Sequence, residues 1–219
     1  KTTANAPKTG PDVKEMSARE LPRDAFPGRG ASAFRVFLDS NVHEQIRKHA
    51  TEDVRVEICG VLVGTWKRDD EGPYVLINAA IPGEAVANKL SEVTFTHETW
   101  AKIHKRMDAE FADRSIVGWY HTHPGFGIFL SDMDVFIQEN FFPEPWQVAL
   151  VYDPKAKEEG LFLWKSGKPE PTAFLVEEDA GAEEATTVIK VAREVTAKPG
   201  QAGEMVGEVS QFADRLDAI

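Results

Sequence analysis

Gly118-Trp119-Tyr120-His121-Thr122-His123-Pro124-Gly125-Phe126-Gly127-Ile128-Phe129-Leu130-Ser131-Asp132-Met133-Asp134 is the stretch from which the rest of the chain is read. The run from Ser115 to Tyr120 reads as a buried strand that delivers His121 and His123. Strand side chains alternate between faces, so both imidazoles project from the same side. Pro124-Gly125-Phe126-Gly127 lets the chain turn sharply and return. Ser131 then opens a helix whose first turn holds Asp134, where a carboxylate is favoured and can point back at the histidines. Two imidazoles and one carboxylate, with room for a water, form the usual protein half of a catalytic zinc site. Singly the pieces are ordinary: a strand histidine is commonly structural, and Ser-x-x-Asp is also a capping box. As a set, His-x-His-x7-Ser-x2-Asp should arise by accident in on the order of one chain in a few thousand.

Working outward, Phe34 to Leu38 reads as a strand, and Asp39 or Ser40 can cap a short helix bearing Val42 and Ile46. Val54 to Trp66 and Pro73 to Ile81 are strand-like runs, joined by Lys67 to Gly72 with Asp-Asp-Glu-Gly as turn chemistry. A loop from Pro82 leads to a short strand at Val93 to Phe95. Thr96 caps the clearest helix, with Trp100, Ile103, Met107 and Phe111 along one stripe. The helix opened by Ser131 ends near Phe142, before Pro143 and Pro145. Gln147 to Tyr152, Leu161 to Trp164 and Ala173 to Val176 complete the strand candidates. Interleaved strands and helices of these lengths predict an α/β (α+β) fold, a mixed sheet flanked by helices.

With 219 residues, 42% hydrophobic and 28% charged, the chain has the composition of one soluble domain with tails. Residues 1–32 carry prolines, glycines and scattered charge without apolar periodicity, and are expected to be a disordered tail. The start lacks the apolar segment of a signal peptide, although Lys1 is not an initiator methionine. The folded domain is expected over 33–176. Residues 177–219 read as an acidic linker followed by amphipathic helices, the last with Met205, Val209, Phe212, Leu216 and Ile219 on one seam. A net charge of −11 argues against a nucleic-acid partner, and no apolar run approaches the roughly 18 residues that cross a bilayer. The single cysteine, Cys59, permits no internal disulfide and fits a reducing, cytoplasmic location.

The motif resembles, residue for residue, that of the JAMM (MPN+) zinc metalloproteases, whose members cut ubiquitin or ubiquitin-like proteins from their targets. Val117-Gly118-Trp119-Tyr120 and Pro124-Gly125-Phe126-Gly127 are similar to the flanks in proteasome-lid and signalosome isopeptidases. Glu57-Ile58-Cys59-Gly60-Val61-Leu62-Val63-Gly64 looks like the upstream element that carries the family's glutamate, and Val148 to Pro154 like the strand that closes its core. The resemblance covers about 33–176. It implies a mostly antiparallel, curved, cytidine-deaminase-like sheet and one Zn2+ ion held by His121, His123 and Asp134. Glu57 would carry the proton and Ser131 would stabilise the oxyanion. The implied partner is ubiquitin or a ubiquitin-like protein with a Gly-rich C-terminal tail, cut from a lysine or matured from its precursor. Bacterial members imply E1- and E2-like conjugation enzymes as companions.

Pro82 to Phe95 occupies the place of a family insertion, so Val86 and Ala87 are expected to pair with the substrate tail as an edge strand. Phe126 and Phe129, with Trp119 and Tyr120, are expected to supply apolar surface around the site. Rival readings fare worse on the residues. A nucleobase deaminase needs Pro-Cys-x-x-Cys, which one cysteine cannot supply. Cys59, set in an apolar run, reads as a small buried hydrophobe rather than a nucleophile. A non-catalytic MPN scaffold is the alternative from another class, and it is disfavoured because all five expected residues are present. His43, His49, His97 and His104 read as surface imidazoles.

Overall fold

The computed structural model describes residues 14–16 (backbone alone), 34–83, 95–165 and 167–177. Within them the strands are β1 Lys14–Met16, β2 Arg35–Asp39, β3 Cys59–Asp69, β4 Gly72–Pro82, β5 Ser115–Thr122, β6 Val148–Asp153, β7 Glu158–Lys165, β8 Lys168–Thr172 and β9 Leu175–Glu177. The helices are α1 Ser40–Ala50, α2 His97–Glu110 and α3 Asp132–Phe141. Each helix begins where a short polar side chain can take its free N–H groups. Asp39 accepts from Asn41 and Val42, Thr96 from Thr99, and Ser131 from Asp134.

All nine of these strands join one mixed sheet in the order β8-β7-β6-β5-β3-β4-β2-β9, with β1 on β3. The pairs β2/β4, β2/β9 and β5/β6 are parallel and the other five antiparallel. One face packs on α1 through Val42, Ile46, Leu62, Tyr120 and Leu150. The other packs on α2 and α3 through Ile103, Ile137, Val61, Trp119 and Val151. α3 is the crossover between the parallel strands β5 and β6, so its first turn lies at the carboxyl end of β5.

A bulge in β5 decides which residues look toward α3. Leu62 pairs with Gly118 and Val63 with Ile116, leaving Val117 unmatched. Val117 and Tyr120, three apart, therefore face the same α1-side core, which a regular strand forbids. Trp119 is turned to the opposite core. Gly118 makes this possible: it has φ +155°, and a Cβ there would fall on the carbonyl oxygen of Val148 in β6.

Several expectations from sequence are corrected. The strand expected from Val54 begins only at Cys59, and it runs on to Asp69 as one arm of a long hairpin with β4. β8 was not foreseen, because Pro169 and Pro171 argue against a strand; it is tolerated as an edge strand. Lys14–Met16, inside the expected N-terminal tail, pairs with Trp66–Arg68. His97 and His104 are exposed as expected. His43 is instead buried and paired with Glu159 at 2.7 Å, and His49 meets the Tyr120 hydroxyl at 2.8 Å. Glu177, expected to open the acidic linker, instead ends β9, while residues 178–219 and Val93 and Thr94 of the expected short strand fall outside the described residues.

Candidate metal centre

β5 carries His121 into the space in front of α3 and then ends. His123, just past the strand, donates its backbone N–H to Tyr152 O at 3.0 Å, which keeps the chain against β6 for one more residue. The side-chain nitrogens of His121 and His123 and a carboxylate oxygen of Asp134 all lie within 4.8 Å of one another. His121 Nε2 stands 3.3 Å from Asp134 Oδ1, and His123 Nε2 stands 3.3 Å from Asp134 Oδ2. All three residues are buried.

Asp134 is aimed by its own helix. Ser131 N–H and Ser131 Oγ donate to Asp134 Oδ2 at 2.7 and 2.6 Å, and Asp134 N–H donates back to Ser131 Oγ at 3.2 Å. This reciprocal capping box holds the carboxylate at the helix N-terminus, where a negative charge is favoured. Burial pushes the Asp134 pKa up, but both imidazoles and Ser131 outweigh it, and the group sits well below the ordinary carboxylate range. Burial also lowers the pKa of His121, against the pull of Asp134. For His123 the same burial is overcome by Asp134, and its pKa rises.

Glu57 reaches the site from outside the strand. Ile58 N–H donates to Thr122 Oγ1 and Thr122 N–H donates to Ile58 O, each at 3.0 Å, so the segment before β3 is laced to the end of β5. Glu57 is thereby half-buried, and its pKa is pushed up to about 7, chiefly by burial. His123 opposes that rise and Asp134 adds to it. The carboxyl is therefore poised near neutrality beside the cluster, where a proton carrier is most useful.

The loop between His123 and Ser131 is held from below. The buried carboxylate of Asp153 accepts from Gly125 N–H (2.8 Å), Gly127 N–H (3.0 Å), Lys155 N–H (2.9 Å) and Ala156 N–H (3.1 Å). Burial works against its charge, but these donors win and its pKa is lowered. Gly127, at φ +86°, turns its carbonyl to within 3.3 Å of His123 Nδ1. Phe129 tilts over the His123 ring at 4.6 Å, and Phe126 is 68% exposed at the loop tip.

The structure thus brings His121, His123, Asp134, Ser131 and Glu57 to one place, with Phe129 against His123 and Phe126 exposed on the same loop. Val86 and Ala87 lie outside the described residues. Tyr120 does not border the site, since it faces the α1-side core, and Trp119 lies buried behind His121. Cys59 is buried with its thiol pKa pushed up to about 12, which suits a core residue. Sequence reasoning missed Thr122, Asp153 and Gln138. Asp153-Pro154 at a strand end was a readable turn signal, whereas Thr122 and Gln138 carry none.

The residues fit a bound cation. His121 Nδ1 is buried without a hydrogen-bond partner and Nε2 faces only Asp134 Oδ1 at 3.3 Å, an arrangement that is costly unless something else takes a lone pair. Two imidazoles and a carboxylate suit zinc.

Fold and cluster together match a candidate metal centre of the JAMM/MPN+ class. Residues 31–142, about half the chain, match the JAB1/Mov34/MPN/PAD-1 ubiquitin protease family, and the chain belongs to that family. It is 35% identical over 129 residues to COP9 signalosome complex subunit 5 of Caenorhabditis elegans, covering 58% of this chain and 32% of that protein. It is 31% identical over 131 residues to ubiquitin carboxyl-terminal hydrolase RPN11 of Saccharomyces cerevisiae, covering 59% of this chain and 42% of that protein. The matches span less than half the length of these relatives. The solution structure of protein DSY2949 from Desulfitobacterium hafniense shares the fold, with a TM-score of 0.53, 17% identity, and coverage of 67% of this chain and 95% of that one. Among the described residues no helix is long and apolar enough to cross a membrane.

Proposed function

We propose that this chain is a zinc-dependent isopeptidase that hydrolyses the bond after the C-terminal glycine of ubiquitin or a ubiquitin-like protein, releasing it from a target lysine or maturing its precursor. The observation that carries the proposal is the buried His121–His123–Asp134 cluster with a carboxyl of near-neutral pKa, Glu57, beside it. Held by those three side chains, zinc would act as a Lewis acid and make bound water acidic, with a pKa of roughly 7.

The chain's own residues supply the rest. Glu57 takes a proton at its carboxylate and returns it to the departing amine, a role its near-neutral pKa allows in both directions. Ser131 Oγ, committed to Asp134 at rest, stands at the N-terminus of α3 and serves the developing oxyanion by turning from that carboxylate. Phe126 and Phe129 give the substrate an apolar rim on a loop that Asp153 keeps fixed. Val86 and Ala87 pair with the Gly-rich tail, where backbone bonding needs no side chains. E1- and E2-like enzymes of a conjugation system in a reducing cytoplasm are the corresponding companions.

The test is zinc content together with cleavage of a ubiquitin-like fusion ending in Gly-Gly. One zinc per chain and cleavage lost in Glu57→Gln support the reading. Full zinc occupancy without cleavage of any such fusion would point to a scaffold instead.

A further inference from the structure

Metal-binding histidines usually donate their second ring nitrogen to a carbonyl, carboxylate or water, which fixes the ring's rotation. His123 has such a partner in Gly127 O. His121 has none: with Nε2 turned to Asp134 Oδ1 at 3.3 Å, its second nitrogen, Nδ1, is buried without a hydrogen-bond partner. Something else must hold its plane. The indole of Trp119 lies against it, with ring centroids 4.3 Å apart and planes 13° from parallel.

A stacked indole is a good guide only if it cannot turn or slide. Trp119 Nε1–H donates to Gln138 Oε1 at 2.7 Å. The Gln138 amide nitrogen donates to Phe142 O at 3.2 Å and Gln147 O at 3.0 Å. The two carbonyls accept and the indole donates, so only one orientation of the amide satisfies all three. Gln138 is fully buried on α3, one turn beyond Asp134. An apolar residue could fill that space without the cost of burying an amide, yet it would leave the indole N–H unpaired.

We propose that Gln138 is a positioning residue for the metal centre, acting through Trp119: it fixes the indole, and the indole fixes the His121 imidazole in place of the missing hydrogen bond. The proposal rests on the zinc-site reading above. It makes α3 responsible for two donors at once, Asp134 directly and His121 at one remove.

The experiment uses the full chain. Trp119→Phe keeps an aromatic ring beside His121 and leaves both Gln138 donors in place, while removing the indole N–H and part of the buried ring; Gln138→Leu cuts the link from the other end. Each should lower zinc affinity, measured by chelator competition, by about 10- to 100-fold. The double variant should be no weaker than the weaker single one, since both remove one connection. In metal-free protein the ring nitrogen NMR signals of His121 should move or broaden while those of His123 stay. A merely structural role would lower thermal stability and leave the His121 signals alone. Zinc affinity within about twofold of wild type in folded Trp119→Phe, or additive losses in the double variant, would overturn the proposal. If neither variant folds, indole exchange in wild type decides: Trp119 Nε1–H should exchange far more slowly than an exposed indole, and fast exchange refutes the link. A wild type that binds no zinc would sink the proposed function, while the ring signals still judge the positioning.

Discussion

His121 and His123 sit two residues apart and offer the same chemistry, yet they are held in opposite ways. His121 belongs to the strand and the core: its ring leans on Trp119, and its Nδ1 has no hydrogen-bond partner. His123 belongs to the loop: its ring is bonded to Gly127 O, covered by Phe129 and felt by Glu57. One side of the centre is anchored by packing, which is stiff and directional only through its neighbours. The other is anchored by a loop that also presents the exposed Phe126. Burial in the core and contact with the exposed loop are thus divided between the two histidines rather than shared by both.

The largest effect should erase the difference. His121→Ala and His123→Ala should each lose most of the zinc, read by elemental analysis, and with it all measurable cleavage. If one of them keeps full occupancy, the two rings are not equal members of one site.

Next, Glu57→Gln should lower kcat by about 10²- to 10⁴-fold with zinc retained. Glu57 must lose its proton to act as a base, so wild-type cleavage should fall in acid, with a midpoint below the metal-free group's pKa of about 7 because a bound cation favours the carboxylate. Stability has the opposite sign. The folded-state pKa lies above the unfolded value, so this carboxyl's favourable contribution is full below the unfolded pKa and is lost as pH rises through about 7. Metal-free Glu57→Gln should therefore melt higher than metal-free wild type at pH 8 and not at pH 4. Equal melting curves at both values would show that Glu57 is not buried as described.

Asp153→Ala tests the loop side alone. Four backbone N–H groups lose their acceptor, and the expected cost is about 1–3 kcal/mol of stability by denaturant titration. Cleavage should fall with a raised KM, while the ring signals of His121 stay where they are. A shift confined to His121 would invert the proposed division.

The smallest effect belongs to Phe126→Ala. Its side chain is 68% exposed, so stability should change by no more than about 0.5 kcal/mol and zinc affinity not at all. KM for a ubiquitin-like fusion should still rise several-fold. An unchanged KM would remove Phe126 from the substrate rim.

The clustering of His121, His123 and Asp134 was legible because strand alternation, a glycine turn and a helix cap each leave a local mark between His121 and Asp134. The clearest helix was legible for the same reason, in the stripe of Trp100, Ile103 and Met107 after Thr96. Glu57 carried no local mark, since what brings it to the site is the bonding of Ile58 to Thr122, 64 residues away. His43 and His49 were misread because their partners, Glu159 and Tyr120, lie on distant strands. Trp119 was misread as surface around the site, and Gln138 was invisible, for a subtler reason. A buried Trp and a helical Gln are ordinary singly, and only the fold puts one behind a ligand and the other on its nitrogen.

The bulge at Val117–Gly118 has a consequence for how such a centre can be lost. Everything after it in β5 is one step out of phase with everything before it. Val117 is the unmatched residue, so deleting it would leave Ile116, Trp119 and His121 on the α3 side and Tyr120 on the α1 side in plain alternation, with neither half of the strand rotated. Losing Tyr120 instead would turn His121 toward the apolar core beside α1, because no bulge lies there to take up the step. An in-frame codon could thus be lost from β5 at Val117 without moving the cluster, while the same loss two or three residues later would separate this architecture from its cluster.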